Sequence, residues 1–420
     1  MKNNLRRLIP TVLAAIVFTL TTSAYAAYTE NVLYSFPTVG GLPVWPQGLV
    51  ADSAGNFYGF SEGGGAANLG AVFELSPGAT GWTQTILYSF TGGQDGAGPA
   101  FGAVPLMDAK GNLYGEDSGG GAYLKGEIYE LSPSSSGWTK TVLYSFTGLT
   151  DGDVPVPSLI FDAAGNLYGA TIAGGIYDEG VIFKLSPSSG GWNETVLYAF
   201  EGRATGFFPI GALALDSAGR LYGMTYFGGP SSICSASGCG TIFQLSPPTT
   251  GTVWTYKRVH AFDYYDGGQP TEANNLVFDA AGNLFGCTSF GGNTTAGAGV
   301  IFKLSPTTAG AWKETVIHSF AAGNDGYEPN SITFDASGHL WGTVYEGGSG
   351  GYGTVFEMTP TANGHWIVNT VYSFPSTPDG DRPSANVVFD NAGNVYGTTS
   401  LGGTSWAGAF FELSPAGSIK

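Results

Sequence analysis

Residues 159–200 read LIFDAAGNLYGATIAGGIYDEGVIFKLSPSSGGWNETVLYAF, and four short strands can be read in them. Strand a is residues 159–162, strand b 166–171, strand c 181–185 and strand d 192–200. Between a and b, Asp162 opens a tight turn and Gly165 supplies the positive φ it needs. Pro187 is expected to end strand c, because proline cannot donate to a ladder. No 3.6-residue apolar period appears, so no helix is expected.

The same unit recurs along the chain. Its aromatic end appears at Tyr34-Ser35-Phe36, Tyr88-Ser89-Phe90, Tyr144-Ser145-Phe146, Tyr198-Ala199-Phe200, His260-Ala261-Phe262, His318-Ser319-Phe320 and Tyr372-Ser373-Phe374, at intervals of 54 to 62 residues. The turn aspartate appears as Asp52, Asp108, Asp162, Asp216, Asp279, Asp335 and Asp390. Four short antiparallel strands make one blade of a propeller, and seven units predict an all-β, seven-bladed ring. Trp82, Trp138, Trp192, Trp254, Trp312 and Trp366 each stand eight residues before the Phe of their unit, and Tyr28 stands eight before Phe36. The frame therefore opens with a lone strand d and closes after a strand c at 409–413. The N-terminal strand is expected to complete the last blade, leaving no long edge exposed.

Composition narrows the setting. The chain has 420 residues, 43% hydrophobic and only 11% charged, with 68 glycines. Few charges and many aromatics exclude a disordered chain. Lys2, Arg6 and Arg7, the apolar run 8–20 and Ala24-Tyr25-Ala26 form a signal-peptide pattern. Residues 1–26 are read as a cleaved signal and 27–420 as one propeller domain, secreted or periplasmic and monomeric. Cleavage leaves 12 Lys and Arg against 32 Asp and Glu, a formal charge near −20. Such a surface repels nucleic acid and anionic lipid, so neither is expected as a partner. Cys234 and Cys239 share a Gly/Ser-rich loop suited to a disulfide in an oxidising compartment, and Cys287 reads as a buried thiol.

The units resemble the Gloeo/Verruco (GloVer) repeat family of secreted bacterial proteins. The residues that carry the resemblance are Leu-Tyr-Ser-Phe (residues 143–146), the Asp-x-x-Gly-Asn-Leu-Tyr-Gly turn, and Gly-Gly before Gly-Thr-Val-Phe (residues 348–356). It spans nearly all of 32–415 and implies an extracellular propeller without assigning an activity. Members often carry a C-terminal surface anchor; this chain ends five residues after Pro415, so none is expected. The Asp turn also looks like turns of lactonases and streptogramin lyases.

In such a meander the a–b and c–d turns share one face, and the b–c and d–a loops share the other. The a–b turns are uniform, whereas the b–c loops vary, which is where a scaffold carries function. The variable face collects Trp45, Tyr123, Tyr177, Phe207, Phe208, Tyr264, Tyr265, Tyr327, Tyr352 and Trp406, rings able to stack on sugars or grip a peptide. Arg203 and Arg382, rare cations on an acidic chain, are candidate carboxylate binders. No cofactor is expected; Asp151 with Asp153, and Asp379 with Asp381, are weak candidates for Ca²⁺, and neither pair completes a calcium loop. His260, His318, His339 and His365 are scattered, so no histidine metal cluster or nucleophile–base pair is expected. Glu116 and Asp117 break the repeat in a strand b and are the catalytic candidates, although neighbours on a strand face opposite ways.

Three functions compete. The first is a non-catalytic binding or interaction protein taking a glycan or peptide on the variable face. The second is an extracellular lyase or hydrolase, lactonase-like or polysaccharide-active, using carboxylates near the channel. The third is a structural cell-envelope protein.

Overall fold

The computed structural model describes residues 28–416 except 39, 100 and 309. The signal segment read in the sequence lies outside them. Seven antiparallel sheets follow one another, each in the order a-b-c-d. The last blade pairs Ala409–Pro415 with Tyr28–Ser35, so the N-terminal strand closes the ring as the repeat frame predicts. No helix among the described residues is long and apolar enough to cross a membrane.

Each motif residue has a packing reason. In blade 1, Asp52 accepts hydrogen bonds from the amides of Ala54 and Asn56 on one oxygen and from the Asn56 side chain and the Tyr58 hydroxyl on the other. These bonds outweigh partial burial and hold its pKa below the usual value. The Phe ending strand d packs onto a ring of the next blade: Phe36 on Phe73 at 5.2 Å, Phe146 on Phe183 at 5.1 Å, Phe374 on Phe411 at 5.1 Å. Glycine follows the Tyr of strand b because that ring lies over it. A Cβ at Gly169 would stand 2.4 Å from Phe183 Cζ.

Strand c outlasts its expected end. In blade 3 it runs Val181–Ser188, with Pro187 opposite Trp192. Strand b stops earlier, its first residue Leu167 pairing with Leu185, so the sheet is two strands wide there. The missing proline donor faces an edge, where it costs nothing.

The inner strands depart from sevenfold symmetry. Blades 1, 3, 4 and 6 have long ones, Val44–Ala51, Asp153–Phe161, Phe207–Leu215 and Tyr327–Phe334. In blades 2 and 5 only Leu106–Met107 and Leu276–Phe278 remain, and blade 7 is split into Gly380–Pro383 and Val388–Phe389. The released chain enters the axis. Gly102 donates its amide to Gln47 of blade 1 at 2.8 Å. A Cβ on Gly102 would lie 2.7 Å from the Ala273 backbone of blade 5, so only glycine lets the two backbones cross. Asn275 exchanges two hydrogen bonds with the Ile332 backbone, and Asn386 two with that of Leu49. These side-chain amides stand in for a ladder between neighbouring inner strands. Among the cavities of the described residues is one of about 230 Å³ along the axis, lined by Gly102, Ala273, Asn274 and Asn386.

Candidate functional site

The variable face is built on one repeated device. The residue before the proline at the start of strand a, or at the equivalent place ahead of the shortened strand of blade 5, lies in the left-handed region at Trp45, Val154, Phe208, Gln269, Glu328 and Arg382, with φ between 46° and 61°. Each amide donates to a b–c loop carbonyl of the preceding blade, for example Trp45 to Ala407 at 2.9 Å and Arg382 to Tyr352 at 2.9 Å. Such a backbone costs on the order of 1–3 kcal/mol per non-glycine residue and is held by the inter-blade bond and the proline. The backbone repeats while the side chain changes. The result is a rim of unlike groups around the mouth.

At blades 6 and 7 these groups converge. Arg382 Nη2 lies 2.8 Å from Glu346 Oε1, and its guanidinium stands 5.4 Å from the Tyr345 ring centre. Tyr327 donates its hydroxyl to the other oxygen of Glu346. Phe101, on the segment released from blade 2, meets Tyr345 edge-on at 5.4 Å. Carboxylates dominate the electrostatics. Burial raises the pKa of Glu272, and the charge of Glu62 raises it further. Glu328 is raised by burial and then by Glu346, with Arg382 opposing. Glu62, Phe101, Glu272, Glu328, Tyr345 and Glu346 were not among the expected site residues. The ends of strand b, where Glu62 and Tyr345 occupy equivalent repeat positions, held the signal.

Of the expected aromatics, Trp45 (45% exposed) and Trp406 (54%) are joined through the Trp45–Ala407 bond into one aromatic pair of loops. Tyr123, Tyr177, Tyr265 and Tyr352 stand exposed. Phe207 and Phe208 fold against Phe227 of their own blade, Phe207 stacking on it at 5.1 Å. Tyr264 tucks its hydroxyl beside Gly297 and is half-buried. Arg203 is spent on the b–c loop of blade 4, donating to the carbonyls of Gly229, Pro230 and Ser231. The same loop is closed by the Cys234–Cys239 disulfide. Cys287 is buried.

The calcium pairs do not converge. Asp151 already accepts from Tyr144, from the Leu149 amide and from both the amide and hydroxyl of Thr147. Asp153 instead turns to Lys125 at 2.7 Å. Asp379 accepts from Tyr372, while Asp381 lies 3.9 Å from Arg382.

The catalytic candidates are buried between blades. Glu116 is buried at the boundary of blades 2 and 3 and accepts the Ser158 amide at 2.9 Å. Burial pushes its carboxyl up to about 8, against the opposing pull of that hydrogen bond. Asp117 accepts the amides of Gly119 and Gly120 and lies beneath Gly96, where a Cβ would stand 2.2 Å from its oxygen. Beside it Lys140, itself buried, lies 2.5 Å from Glu127 and 3.2 Å from Asp95. Blade 2 thus breaks the repeat with a buried ionic network between blades. Comparing strands c and d across the repeat would have disclosed it, since Glu127 stands where other blades carry Ala, Val or Thr.

Two histidines meet a carboxylate of their own turn or loop and a second one that the fold brings in. His260 lies with Asp266 and Glu314, and His339 with Asp335 and Glu357, each trio having ligand atoms within 4.8 Å of one another.

Among solved structures, the extracellular domain of a protein described as the hybrid two component system BT4673 of B. thetaiotaomicron aligns with a TM-score of 0.57. Identity is 10%, over 94% of this chain and 40% of that one. A Trichoderma reesei carbohydrate-active enzyme of family AA12 aligns at 0.43, with 11% identity over 93% and 97%. A Bacteroides fragilis protein described as a 6-phosphogluconolactonase aligns at 0.49, with 14% identity over 90% and 88%. At such identities the likeness is one of fold. No curated protein matches the chain in sequence. The Gloeobacter/Verrucomicrobia repeat matches residues 13–235 and 231–420, and the chain belongs to that repeat family.

Proposed function

We propose that this propeller is an exported, non-catalytic binding protein whose variable face takes a glycan or a peptide. One observation carries the reading. Of fifteen exposed large hydrophobic residues among those described, ten lie on the b–c and d–a loops at the variable face, Val104 lines the axial cavity, and Val253 alone lies on the opposite turns. Apolar surface gathered on one face of a soluble fold marks an interaction site. The rings supply stacking area, and the rim carboxylates supply acceptors for sugar hydroxyls or basic side chains. The acidic surface favours neutral glycans or basic peptides over acidic polymers. Export rests on the signal pattern of residues 1–26.

Titration of mature chain, residues 27–420, with neutral oligosaccharides and basic peptides tests this through tryptophan fluorescence. Saturable quenching that disappears in Trp45→Ala and Trp406→Ala supports the reading. Absence of any response, or quenching unchanged in both variants, removes it and favours a structural envelope role.

A lyase or hydrolase is the second reading, and Glu272 favours it, a half-buried carboxyl whose pKa is raised by burial and further by the charge of the exposed Glu62. Turnover of a lactone or polysaccharide lost in Glu272→Gln would establish it.

A further inference from the structure

We propose that the boundary of blades 4 and 5 holds a divalent transition-metal site, of the zinc class, formed by His260, Asp266 and Glu314. The site grows from a motif that the fold repeats. The seventh residue of strand d is tyrosine in five blades, and in three of them it donates its hydroxyl to an aspartate of the following loop: Tyr88 to Asp95, Tyr144 to Asp151 and Tyr372 to Asp379. Facing that pair stands the third residue of strand d in the next blade. It is Glu194 opposite Tyr144 and Glu30 opposite Tyr372. At the boundary of blades 4 and 5 the tyrosine is replaced by His260, on strand d Thr255–Ala261, while the facing glutamate is kept as Glu314, on strand d Trp312–Ser319. His318 also replaces a tyrosine and pairs with Asp325, but Val368 holds the facing position. An imidazole nitrogen and two carboxylates therefore meet at one boundary of the seven.

The geometry suits a small ion. His260 Nε2 lies 2.8 Å from Asp266 Oδ2, and all three ligand atoms lie within 4.8 Å of one another. Glu314 Oε1 is buried without a hydrogen-bond partner. Zinc binds nitrogen and carboxylate oxygen at about 2.0–2.2 Å, so small side-chain rotations bring the three onto one ion, with water completing a tetrahedron. A neutral imidazole and two carboxylates carry the −2 charge that balances the ion, and Asp263 adds acidity beside them. The imidazole selects zinc-like ions over Ca²⁺ and Mg²⁺. Loading puts the ion between His260 Nε2 and Asp266 Oδ2, the neutral ring then carrying its hydrogen on Nδ1, and the histidine and aspartate side chains keep about one-fifth exposure through which the ion can enter. The other trio is a weaker candidate, because both Asp335 oxygens already accept hydrogen bonds from Ser337, His339 and Trp341. A bound ion would pin to blade 5 the loop that presents Tyr264 and Tyr265 on the variable face.

The test uses residues 27–420 without a polyhistidine tag, stripped with EDTA and titrated with Zn²⁺ at pH 7.5 by calorimetry and elemental analysis. One zinc per chain is expected. His260→Tyr installs the residue that five blades already carry, so the fold is retained. Both it and Glu314→Gln should weaken binding at least as much as the roughly 10–100-fold lost when outer-shell partners are disturbed. His318→Tyr and His339→Asn should leave it unchanged, and Ca²⁺ should not compete. No zinc uptake, or uptake equal to wild type in both His260→Tyr and Glu314→Gln, overturns the proposal. Uptake lost only in His339→Asn would move the site to the other trio and overturn it equally.

Discussion

Glu116→Gln should stabilise this propeller at neutral and alkaline pH, and the gain should grow with pH. Glu116 is buried and its carboxyl is pushed from 4.5 up to about 8 by burial. A raised carboxyl contributes stability fully present below its unfolded pKa and lost as pH rises through its folded one. Between pH 5 and pH 8 the wild type should lose about 3.5 kcal/mol through this group, at 1.36 kcal/mol per unit. Glutamine keeps an acceptor for the Ser158 amide, now 2.9 Å from the carboxylate, and does not titrate. The variant should therefore escape that loss. With an unfolding entropy of about 2.1 cal/mol/K per residue, the melting-temperature gap between variant and wild type should widen by about 4 °C from pH 5 to pH 8. Differential scanning calorimetry at both pH values reads it. A gap that stays constant or narrows would refute the argument that burial governs this carboxyl. Loss of a turnover activity in the same variant would restore Glu116 as a catalytic group.

Three further outcomes follow from the same structure. Glu30, Glu194 and Glu314 sit at blade boundaries with carboxyls pushed by burial up to about 7, so metal-free wild type should melt higher at pH 5 than at pH 8, the loss falling between about 4.5 and 7; a melting temperature that rises over this range contradicts it. Lys140→Met should destabilise by about 3–5 kcal/mol in urea unfolding, because Glu127 and Asp95 would lose their buried cation. Removal of residues 28–35 should bare the edge of Ala409–Pro415, and light scattering should show aggregates that the intact chain does not form.

The ring was legible because its signals repeat. Asp162, Gly165 and Phe200 each have six counterparts, and Tyr28 takes the tryptophan's place in the strand that closes the last blade. The interior was legible only where the repeat held. The short inner strands at Leu106–Met107 and Leu276–Phe278 depend on backbones crossing the axis, as Gly102 and Ala273 do, and no local pattern encodes a contact between blades so far apart. The candidate site divided the same way. Trp45, Trp406 and Tyr352 were recognisable as aromatics outside the repeat, and they stand exposed on the predicted face. Arg203 and Phe207 were equally irregular, but neighbouring loop carbonyls and Phe227 occupy them. Glu116 stood out because a carboxylate breaks the strand pattern, and the Ser158 amide that explains it belongs to the next blade.

Recognition is assigned to the b–c and d–a loops. An array of neutral glycans and basic peptides, probed with residues 27–420 and with the triple variant Trp45→Ala, Tyr352→Ala, Trp406→Ala, tests it most directly. Wild type should bind a restricted set of spots and the variant none, with unchanged melting curves. Binding that survives the triple substitution, or no binding by either protein, would contradict it.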